Sequence, residues 1–561
     1  MGASYTLPTG TTPEETVKSR RILAVGLAAL SLSLTPLSAV SASSTTTTTS
    51  PSTGSTTTTG VARTYLGPDG VVSSAIVAEN KRRGTSSWRI GPDTSVTAIQ
   101  GFADTTYAAV GQRVTLRVST YLPAYRVVAY RMGYYQGFGA REVWSSGRLV
   151  GQRQPACQVD PSTNMVSCAN WSPSLTISVT SAFVPGDYLL KLVAGPRAAS
   201  YVPLTIWDPH SHATYVIMNR ALVEQGWNTY GGYSYYAGVG PCILDTSTYP
   251  PCNRARVVSF DRPYDTGAGS SDFLTNEYPL VRLAEKEGLD VTYITDITLD
   301  EHPTLLLAHK ALLTLDHDET WTYQERMAVL RATARGVNVV YFGAAAMVRH
   351  ARLEPSSLGP DRQEVDYRNG AEDPLFGHGP PEQVTGNTWE DPPASWSPVP
   401  QIGEEYVGYL NPGASAPMVV TDAGSWLYRG TGLHNGSTIP GVIASDIDRV
   451  IPSSANPVNL QVLSHSPIPT STGTFSSTTW AGYTYADFVY FTDPHSLAGV
   501  VDTGNNVWIG DLRPCPRSDP GCPTPLMTTM TNNILRLVGR GPAGRYEPSH
   551  NNLATVAPAG S

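Results

Sequence analysis

The stretch Ala311-Leu-Leu-Thr-Leu-Asp-His-Asp-Glu-Thr-Trp-Thr322 decides how the chain folds. Its apolar run, 311–315, ends at a polar segment that carries three carboxylates and a histidine. A helical pattern at 323–335 and a second apolar run at 337–342 follow, and this order predicts two parallel strands joined by a helix. Because ligands bind outside the carboxyl ends of the strands in such sheets, the polar segment is a candidate site.

The same alternation extends beyond this stretch. A helical pattern at 273–287 begins after Asp272 and ends before Gly288, as helix start and stop signals require. Alternating strands and helices over 213–345 predict a doubly wound parallel sheet. A last helix is predicted at 526–538. The additional strand patterns lie at 214–218, 256–260, 290–294, 488–491 and 507–510.

Residues 95–207 predict a different architecture. Short alternating runs, separated by turn signals such as Pro185-Gly186, are typical of an antiparallel β-sandwich of immunoglobulin type. Such a module usually binds or packs, so we expect no catalysis from it. The runs lie at 113–118, 126–131, 175–179, 187–192 and 201–206.

Charge and cysteine usage limit the partners and the compartment. The formal charge of −8 and the isoelectric point near 5.8 argue against a nucleic-acid partner, which requires a basic surface. The six cysteines form close pairs without the C-x-x-C spacing of a zinc site, so we expect local disulfides in an oxidising compartment. The expected pairs are Cys157–Cys168, Cys242–Cys252 and Cys515–Cys522.

The N-terminus predicts export. Basic residues at 18–21 precede an apolar run at 22–34, and small residues at 40–42 make a cleavage site, as in a Sec signal or a weak twin-arginine signal. That run is too short to span a bilayer comfortably, and no later run is long enough to anchor the chain. We therefore expect a secreted or envelope-associated protein without a transmembrane anchor.

Several familiar catalytic motifs are absent from the sequence, among them H-E-x-x-H, the P-loop and G-x-S-x-G. The polar segment and the stretch Trp227-Asn-Thr-Tyr-Gly-Gly-Tyr-Ser-Tyr-Tyr236 remain as candidates. The aromatic stretch predicts either a lid or sugar-stacking surface, or tyrosine oxygens that bind a hard cation such as ferric iron. The polar segment forms part of a site, or else only caps the following helix through Asp318 or Thr320.

Seven stretches occur in the order that a known family has. They are Tyr130-Arg-Met-Gly-Tyr-Tyr135, Ser259-Phe-Asp-Arg-Pro-Tyr264, Glu277-Tyr-Pro-Leu-Val-Arg282, Val291-Thr-Tyr-Ile-Thr-Asp296, His317-Asp-Glu319, Tyr341-Phe-Gly-Ala344 and Asp446-Ile-Asp-Arg449. Through them, residues 95–541 resemble the C-terminal region of the N,N-dimethylformamidase β (large) subunit and its exported bacterial relatives. The predicted fold is thus an immunoglobulin-like sandwich followed by a doubly wound α/β domain of class I glutamine amidotransferase-like or flavodoxin-like type.

The resemblance implies one iron ion held by two tyrosines and one glutamate. By motif, the glutamate is Glu319 and one tyrosine is Tyr236, with Tyr235 as the alternative after a slip of one residue. The position of the other tyrosine holds Trp227, so Tyr230 is the candidate replacement ligand. With such a substitution the site holds either one iron ion or none.

The resemblance also implies the residues that surround the metal. It assigns His317 and Asp446 as the catalytic groups that orient or deprotonate a water molecule. An asparagine of the family appears here as Ala345, and a glutamate appears as Asp446. We expect Trp227, Tyr235 and Ala345 to contact the substrate.

Three functions are compatible with these residues. In the first, a metal polarises an amide carbonyl and activates a bound water, which hydrolyses a small linear amide to an amine and a carboxylate. In the second, the protein is a non-catalytic envelope or surface-binding protein with a degenerate metal site, and its aromatic residues bind a cell-envelope polymer. In the third, Glu319 and Asp446 hydrolyse another substrate without a metal. The oligomeric state is left open.

The chain is therefore divided into five parts. They are an export signal at 1–42, a Ser/Thr-rich stalk and lead-in at 43–94, the immunoglobulin-like sandwich at 95–207, the dimethylformamidase β subunit-like α/β domain at 208–541 and a disordered tail at 542–561.

Overall fold

The computed structural model describes residues 63–240, 253–476, 482–515 and 523–556. Its largest sheet has seven strands, of which five consecutive strands are parallel and the sixth runs antiparallel to both of its neighbours. Four of the parallel strands are buried along their whole length, which matches their mainly apolar sequences. In spatial order the strands are Val291–Thr295, Tyr215–Asn219, Ala311–Leu315, Asn338–Phe342, Gly499–Asp502, Tyr483–Thr492 and Gln461–Pro469.

The predicted doubly wound fold of flavodoxin-like or class I glutamine amidotransferase-like type is wrong. The structure is mostly β, with 34% strand and 21% helix, and the described strands are spread over eight sheets. A doubly wound sheet needs helical crossovers between its parallel strands, but mainly strands and loops connect Asn338–Phe342 to Gly499–Asp502. Val257–Ser259 lies in a smaller sheet, and 507–510 leads into a 3-10 helix instead of forming a strand.

The unit around the polar segment does have the predicted order, but the helix cap differs. Helix Tyr323–Thr333 begins at a capping box, in which the Thr322 hydroxyl accepts from the Glu325 N–H at 3.2 Å and the Glu325 carboxylate accepts from the Thr322 N–H at 2.8 Å. The alternative that Asp318 or Thr320 caps this helix is wrong, because both residues precede the capping position. The polar segment is thus available for other contacts.

Two mainly antiparallel sheets face each other across one apolar core before the largest sheet begins. One comprises Leu175–Ser178, Arg113–Thr120 and Ile99–Ala103. The other comprises Tyr107–Ala109, Ala198–Trp207, Gly186–Gly195, Ala124–Met132 and Ala140–Ser145, and Leu149–Val150 pairs with its fourth strand.

The two-sheet region packs on the helix that precedes Val291–Thr295. The guanidinium of Arg131 and the carboxylate of Glu285 form an ion pair with an N–O distance of 2.7 Å, and both side chains are fully buried. The hydroxyl of Tyr293 donates to the same carboxylate at 2.7 Å. Because a buried charge is tolerated only when it is paired, this contact fixes the position of the two-sheet region. The predicted limits of the domains stay predictions.

Smaller sheets carry residues of the candidate site, among them Arg349 and Asp446. A four-stranded sheet comprises Val257–Ser259, Gly359–Val365, Arg349–Ser356 and Thr320–Thr322. A three-stranded sheet comprises Asp446–Arg449, Glu405–Leu410 and Gly473–Phe475. The two-stranded sheets are Ala416–Val419 with Thr438–Ile443, Thr64–Leu66 with Val71–Ser73, and Gln158–Asp160 with Met165–Ser167.

The described helices are short. The α-helices are Ser74–Asn80, Ala221–Trp227, Tyr278–Glu287, Asp296–Glu301, Tyr323–Thr333, Val399–Ile402, Thr524–Val538 and Leu553–Val556. The π-helical turn Phe273–Glu277 precedes Tyr278–Glu287, whose predicted end is marked by Gly288 at a φ of 68°. In the part of the chain that the structure describes, no helix has the length and hydrophobicity of a membrane span.

The predicted disulfide Cys157–Cys168 is present and closes the hairpin formed by Gln158–Asp160 and Met165–Ser167. Cys515 is also disulfide-bonded, and its expected partner Cys522 lies outside the described residues, as does the pair Cys242–Cys252.

The ends of the chain differ from the predicted stalk and tail. Residues 64–80 form strands and a helix, and the tail contains the 3-10 helix Ala543–Arg545 and the helix Leu553–Val556. The Asn552 side chain bonds the backbone of Val462 at the edge of the largest sheet, so this part of the tail is ordered. The predicted export signal lies outside the described residues.

Candidate functional site at the carboxyl ends of the parallel strands

The site lies where four neighbouring parallel strands end. Ala311–Leu315 leads into His317 and Glu319, Asn338–Phe342 leads into Ala345, and Gly499–Asp502 leads into Asn506. The fourth strand, Tyr215–Asn219, is followed by helix Ala221–Trp227 and by the aromatic loop, residues 228–236. Residues that are distant in sequence meet here because parallel strands end at the same edge of the sheet.

The carboxylate of Glu319 is the centre of the site, and its residue is only 4% exposed. Its Oε1 accepts hydrogen bonds from the Trp227 indole Nε1–H at 3.0 Å and from the Tyr236 hydroxyl. Its Oε2 lies 3.4 Å from both Nε of Arg349 and Nε2 of His317. Both oxygens therefore have donors.

The charges around Glu319 keep it ionised. Burial alone would raise the pKa of the Glu319 carboxyl, but His317, Arg349 and Arg368 outweigh burial and lower it well below its usual range. Arg368 lies over the Tyr236 ring, with its guanidinium carbon 4.2 Å from the ring centroid. The site thus contains a carboxylate that is already compensated by cations of the protein.

Trp227 and Tyr236 form one aromatic unit. Their rings stack with centroids 3.6 Å apart and an interplanar angle of 13°. Trp227 remains 40% exposed, while burial raises the pKa of the Tyr236 hydroxyl above its ordinary value. Tyr236 is therefore a neutral phenol that donates to Glu319.

His317 bridges two carboxylates. Its Nε2 lies 3.4 Å from Glu319 Oε2 and 4.0 Å from Asp446 Oδ2. Burial alone would lower the pKa of His317, but the two negative charges outweigh burial and raise it to about 9. His317 is consequently an imidazolium at neutral pH, which can donate a proton but cannot accept one.

Asp446 is held from the neighbouring strand end. The Asn506 side-chain amide donates to Asp446 Oδ2 at 2.8 Å, and Asn506 Oδ1 accepts from the Ala344 N–H at 2.7 Å. Ala345, predicted to contact the substrate, is buried at a φ of 59°, and its N–H donates to Asp448 at 2.8 Å. Asn506 thus supplies an amide close to the position where the resemblance has an asparagine and this chain has alanine.

The other two predicted tyrosines lie outside this cluster. Tyr235 is buried, and its hydroxyl donates to the Glu364 carbonyl at 2.6 Å. Tyr230 packs beside the Cys157–Cys168 disulfide, and its hydroxyl is 3.5 Å from Gln100 Oε1. Of the predicted residues, the structure brings together Trp227, Tyr236, His317, Glu319 and Asp446.

Sequence reasoning missed three residues of the site. Arg349 begins a strand of the four-stranded sheet, Arg368 follows that sheet, and Asn506 lies in a loop after the fifth parallel strand. None of the three belongs to a motif or to the matching stretches. The only signal in the sequence is that three carboxylates directly follow a buried strand at 316–319. Because buried carboxylates need cations as partners, arginines could be expected nearby, but not which ones.

A cavity of about 380 Å³ opens beside the cluster. Its lining includes Trp227, His317, Asp446 and Asn506 together with Asp272, Asp316, Asp511 and Arg513. Cavities of about 300–1,000 Å³ commonly take small molecules, so a small polar ligand fits this space.

The donor set does not fit the iron ion that the resemblance implies. An indole has no lone pair to offer a metal, and the N–H of Trp227 points at the carboxylate oxygen that would bind the ion. Arg349, Arg368 and protonated His317 already surround Glu319, so an added trivalent cation would face three positive groups. Phenol Tyr236 and carboxylate Glu319 alone make an incomplete site for a hard cation.

The fold and the site define a mostly β protein whose polar cluster lies at the carboxyl ends of parallel strands. The family described as N,N-dimethylformamidase beta subunit-like, C-terminal, matches residues 126–522. The chain belongs to this family, and the resemblance seen in the sequence motifs is confirmed.

Other comparisons add little. No curated protein matches the chain. A solved structure of a Paenibacillus sp. cycloisomaltooligosaccharide glucanotransferase complexed with cycloisomaltoheptaose is 9% identical, over 69% of this chain and 68% of that chain, with a TM-score of 0.16. At that score it carries no argument about fold or function.

Proposed function

We propose that this chain is a metal-independent member of its family that is exported and binds small, polar, amide-bearing compounds in the cavity beside His317 and Asp446. One observation carries the proposal, namely the hydrogen bond of 3.0 Å from the Trp227 indole to Glu319. It places an N–H donor where a second phenolate would have to stand. The proposal thus favours the degenerate metal site over a metal-dependent hydrolase.

The first experiment restores the missing ligand. Wild-type protein, produced with added iron, should contain less than about 0.1 iron per chain and lack a visible tyrosinate absorption band, because its donor set is incomplete. Trp227→Tyr supplies a second phenol and should gain iron and visible colour. The measurements are elemental analysis and absorption spectroscopy of the purified proteins.

Trp227→Phe is the matched control. It removes the indole N–H without adding an oxygen ligand, so it should stay free of iron. Wild-type protein with about one tightly held iron would contradict the metal-independent proposal, whatever the variants do.

Ligand binding is tested separately. Pentanamide has a primary amide on a short chain and fits the cavity volume. We expect the NMR lines of pentanamide to broaden when the wild-type protein is added. A large excess of pentanamide over the protein should restore narrow lines. A protein that binds neither pentanamide nor its charged analogues would contradict this part of the proposal.

Metal-free amide hydrolysis is a second candidate, and the distance of 4.0 Å from His317 Nε2 to Asp446 Oδ2 favours it. In this reaction Asp446 would accept a proton from the water that attacks the amide carbonyl, and His317 would donate a proton to the nitrogen as the C–N bond breaks, which releases an amine and a carboxylic acid. The test is amine release from small amides, with Asp446→Asn as the variant that should abolish it. If amide is bound but no amine is released, the binding function stands and this candidate fails.

A further inference from the structure

The charges of the cavity indicate what kind of ligand it selects. Its lining includes five acidic side chains, of which three, Asp272, Asp316 and Asp511, are named here the acidic wall. Glu224 and Asp446 are the other two, and the basic residues of the lining are Arg220, His317 and Arg513. Five acidic groups against three basic groups leave the cavity negative when all are ionised.

Two of the three basic groups are already paired. The guanidinium of buried Arg220 forms ion pairs with three carboxylates. The nitrogen–oxygen distances are 3.0 Å to Glu224, 3.4 Å to Asp316 and 3.6 Å to Glu277. His317 lies between Glu319 and Asp446, as described above. Each of these cations is shared by two or three carboxylates, one of which is Asp316 of the acidic wall, so a single positive charge is set against several negative ones.

The members of the acidic wall are held together by the fold. The turn Gly510–Leu512, which contains Asp511, packs against Phe273–Glu277, which Asp272 precedes. Asp316 joins them because its Oδ2 accepts from the Asn276 side-chain amide at 2.9 Å. The wall is thus built by two loops and the end of strand Ala311–Leu315.

Two oxygens of the wall lack a partner. Asp316 is only 2% exposed, yet its Oδ1 has no hydrogen-bond donor among the residues that the structure describes, and the same holds for the buried Oδ2 of Asp511. A buried carboxylate oxygen without a donor costs free energy unless a ligand supplies one. Asp316 and Asp511 both line the cavity, so a cationic ligand bound there lies next to these under-compensated carboxylates.

Trp227 adds a second feature that favours a cation. One face of its indole is stacked on Tyr236, while the residue is 40% exposed and lines the cavity. The faces of aromatic rings attract organic cations, and indole does so most strongly.

We propose that the ligand carries an ammonium or guanidinium group, which the acidic wall binds, while its amide lies beside His317 and Asn506. This inference rests on the proposed binding function and adds the chemical class of the ligand. It assigns Asp511 as a specificity residue and Trp227 as the aromatic surface beside the bound cation.

Three compounds of nearly equal size test it. γ-Aminobutyramide is cationic, pentanamide is neutral and succinamate is anionic, and each carries the same primary amide. We expect γ-aminobutyramide to bind the full-length protein at least about tenfold more tightly than pentanamide in calorimetric titration, and succinamate to bind more weakly than both. The preference should shrink as salt is raised, because partly exposed charges are screened.

Asp511→Asn is the test variant, and Asp361→Asn is its control. Asp361 is also only partly exposed but lines a separate groove. Asp511→Asn should lose most of the preference for γ-aminobutyramide while pentanamide affinity stays within about twofold, and Asp361→Asn should change neither.

The outcomes separate the two proposals. Equal affinity for γ-aminobutyramide and pentanamide, tighter binding of succinamate, or an unchanged preference in Asp511→Asn would overturn the inference and leave the binding function standing. Failure of all three compounds to bind would overturn both.

Discussion

At the scale of single residues, the surroundings of Glu319 combine a neutral phenol, an indole N–H and several cations. A metal ligand would instead present its lone pairs to an open position. In this chain the carboxylate balances Arg349 and Arg368, so its role in the fold is that of a buried counter-charge.

This role predicts the effect of Glu319→Gln. Removing the charge leaves buried cations without compensation and should lower the free energy of unfolding by about 3–5 kcal/mol. The measurement is urea denaturation at neutral pH. If Glu319 were a metal ligand only, the metal-free variant would be about as stable as the metal-free wild type.

Glu354→Gln is the matched control for that change. Glu354 also pairs with an arginine, at 2.9 Å from Arg352, but its side chain is 43% exposed. The loss of a solvent-exposed pair should cost no more than about 1 kcal/mol.

His317 predicts how stability depends on pH. Its pKa is raised from 6.5 to about 9 in the folded protein, so the folded state binds a proton more tightly than the unfolded state. The resulting stabilisation, about 3 kcal/mol, is fully present below pH 6.5 and is lost as the pH rises through 9. Denaturation between pH 6 and 10, at about unit steps, should show this loss in the wild type and not in His317→Gln. An imidazole NMR titration midpoint at or below about 6.5 would contradict the assignment.

The residues of the site differ in how far the sequence could predict them. Glu319 and His317 follow a buried strand directly, and Trp227 and Tyr236 occur in one aromatic stretch, so local patterns single them out. Arg349, Arg368 and Asn506 reach the site only because distant loops fold over the sheet edge. No local pattern distinguishes such arginines from ordinary surface residues.

At the scale of elements, the loop of residues 316–319 depends on a glycine in the next strand connection. A Cβ placed on Gly343 would lie 1.5 Å from the carbonyl oxygen of Asp316, which no real contact allows. Asp316 itself has a φ of 48°, a left-handed conformation that aspartate tolerates better than most residues. The close approach of the two loops sets where His317 and Glu319 can point.

Gly343→Ala should therefore disturb both stability and site. The added methyl must push the Asp316 backbone away, which we expect to cost about 3 kcal/mol or more in urea denaturation and to weaken amide binding. Gly147→Ala is the control, because a Cβ there meets nothing within 4 Å, and it should stay within about 0.5 kcal/mol of wild type.

Sequence patterns predict many of the strands but not the sheets to which they belong. The mainly apolar runs at 311–315 and 338–342 are strands because a parallel strand that is buried on both faces favours apolar residues along its length. The same reasoning cannot say which sheet a short strand joins, and Val257–Ser259 pairs with Gly359–Val365 instead. The doubly wound fold was predicted from the alternation of strands and helices over 213–345. The segment 343–498 gives only weak sequence patterns, so its many strands, which make the protein mostly β, were not predicted.

At the scale of the whole molecule, the disulfide hairpin of the two-sheet region supports the aromatic loop. The Cys168 N–H donates to the Asp261 carbonyl at 2.6 Å, and the Asn164 side chain donates to the Asn253 carbonyl at 3.0 Å. Gly231 allows the aromatic loop to touch Val166, since a Cβ there would lie 2.6 Å from that side chain. The loop that carries Tyr236 is thus held from outside the largest sheet.

The pair of changes Cys157→Ser and Cys168→Ser should loosen this support. We expect a loss of about 2–3 kcal/mol, in line with the short chain segment that the disulfide closes. Amide hydrogen exchange should increase at 158–167 and also in the aromatic loop, but not in helix Thr524–Val538. Faster exchange confined to the hairpin would show that the loop does not depend on it.

The position of the hairpin also bears on the order in which the protein matures after synthesis. The hairpin precedes the aromatic loop by some sixty residues in the chain, and Asn506 follows that loop by about 270 residues. The thiols can therefore be oxidised before the surface that they support exists, whereas the site can assemble only after Asn506 has been synthesised. If the two thiols stayed reduced, the largest sheet could still form while the aromatic loop lacked its outer support, so oxidation of this one pair would set when the loop becomes fixed beside Glu319.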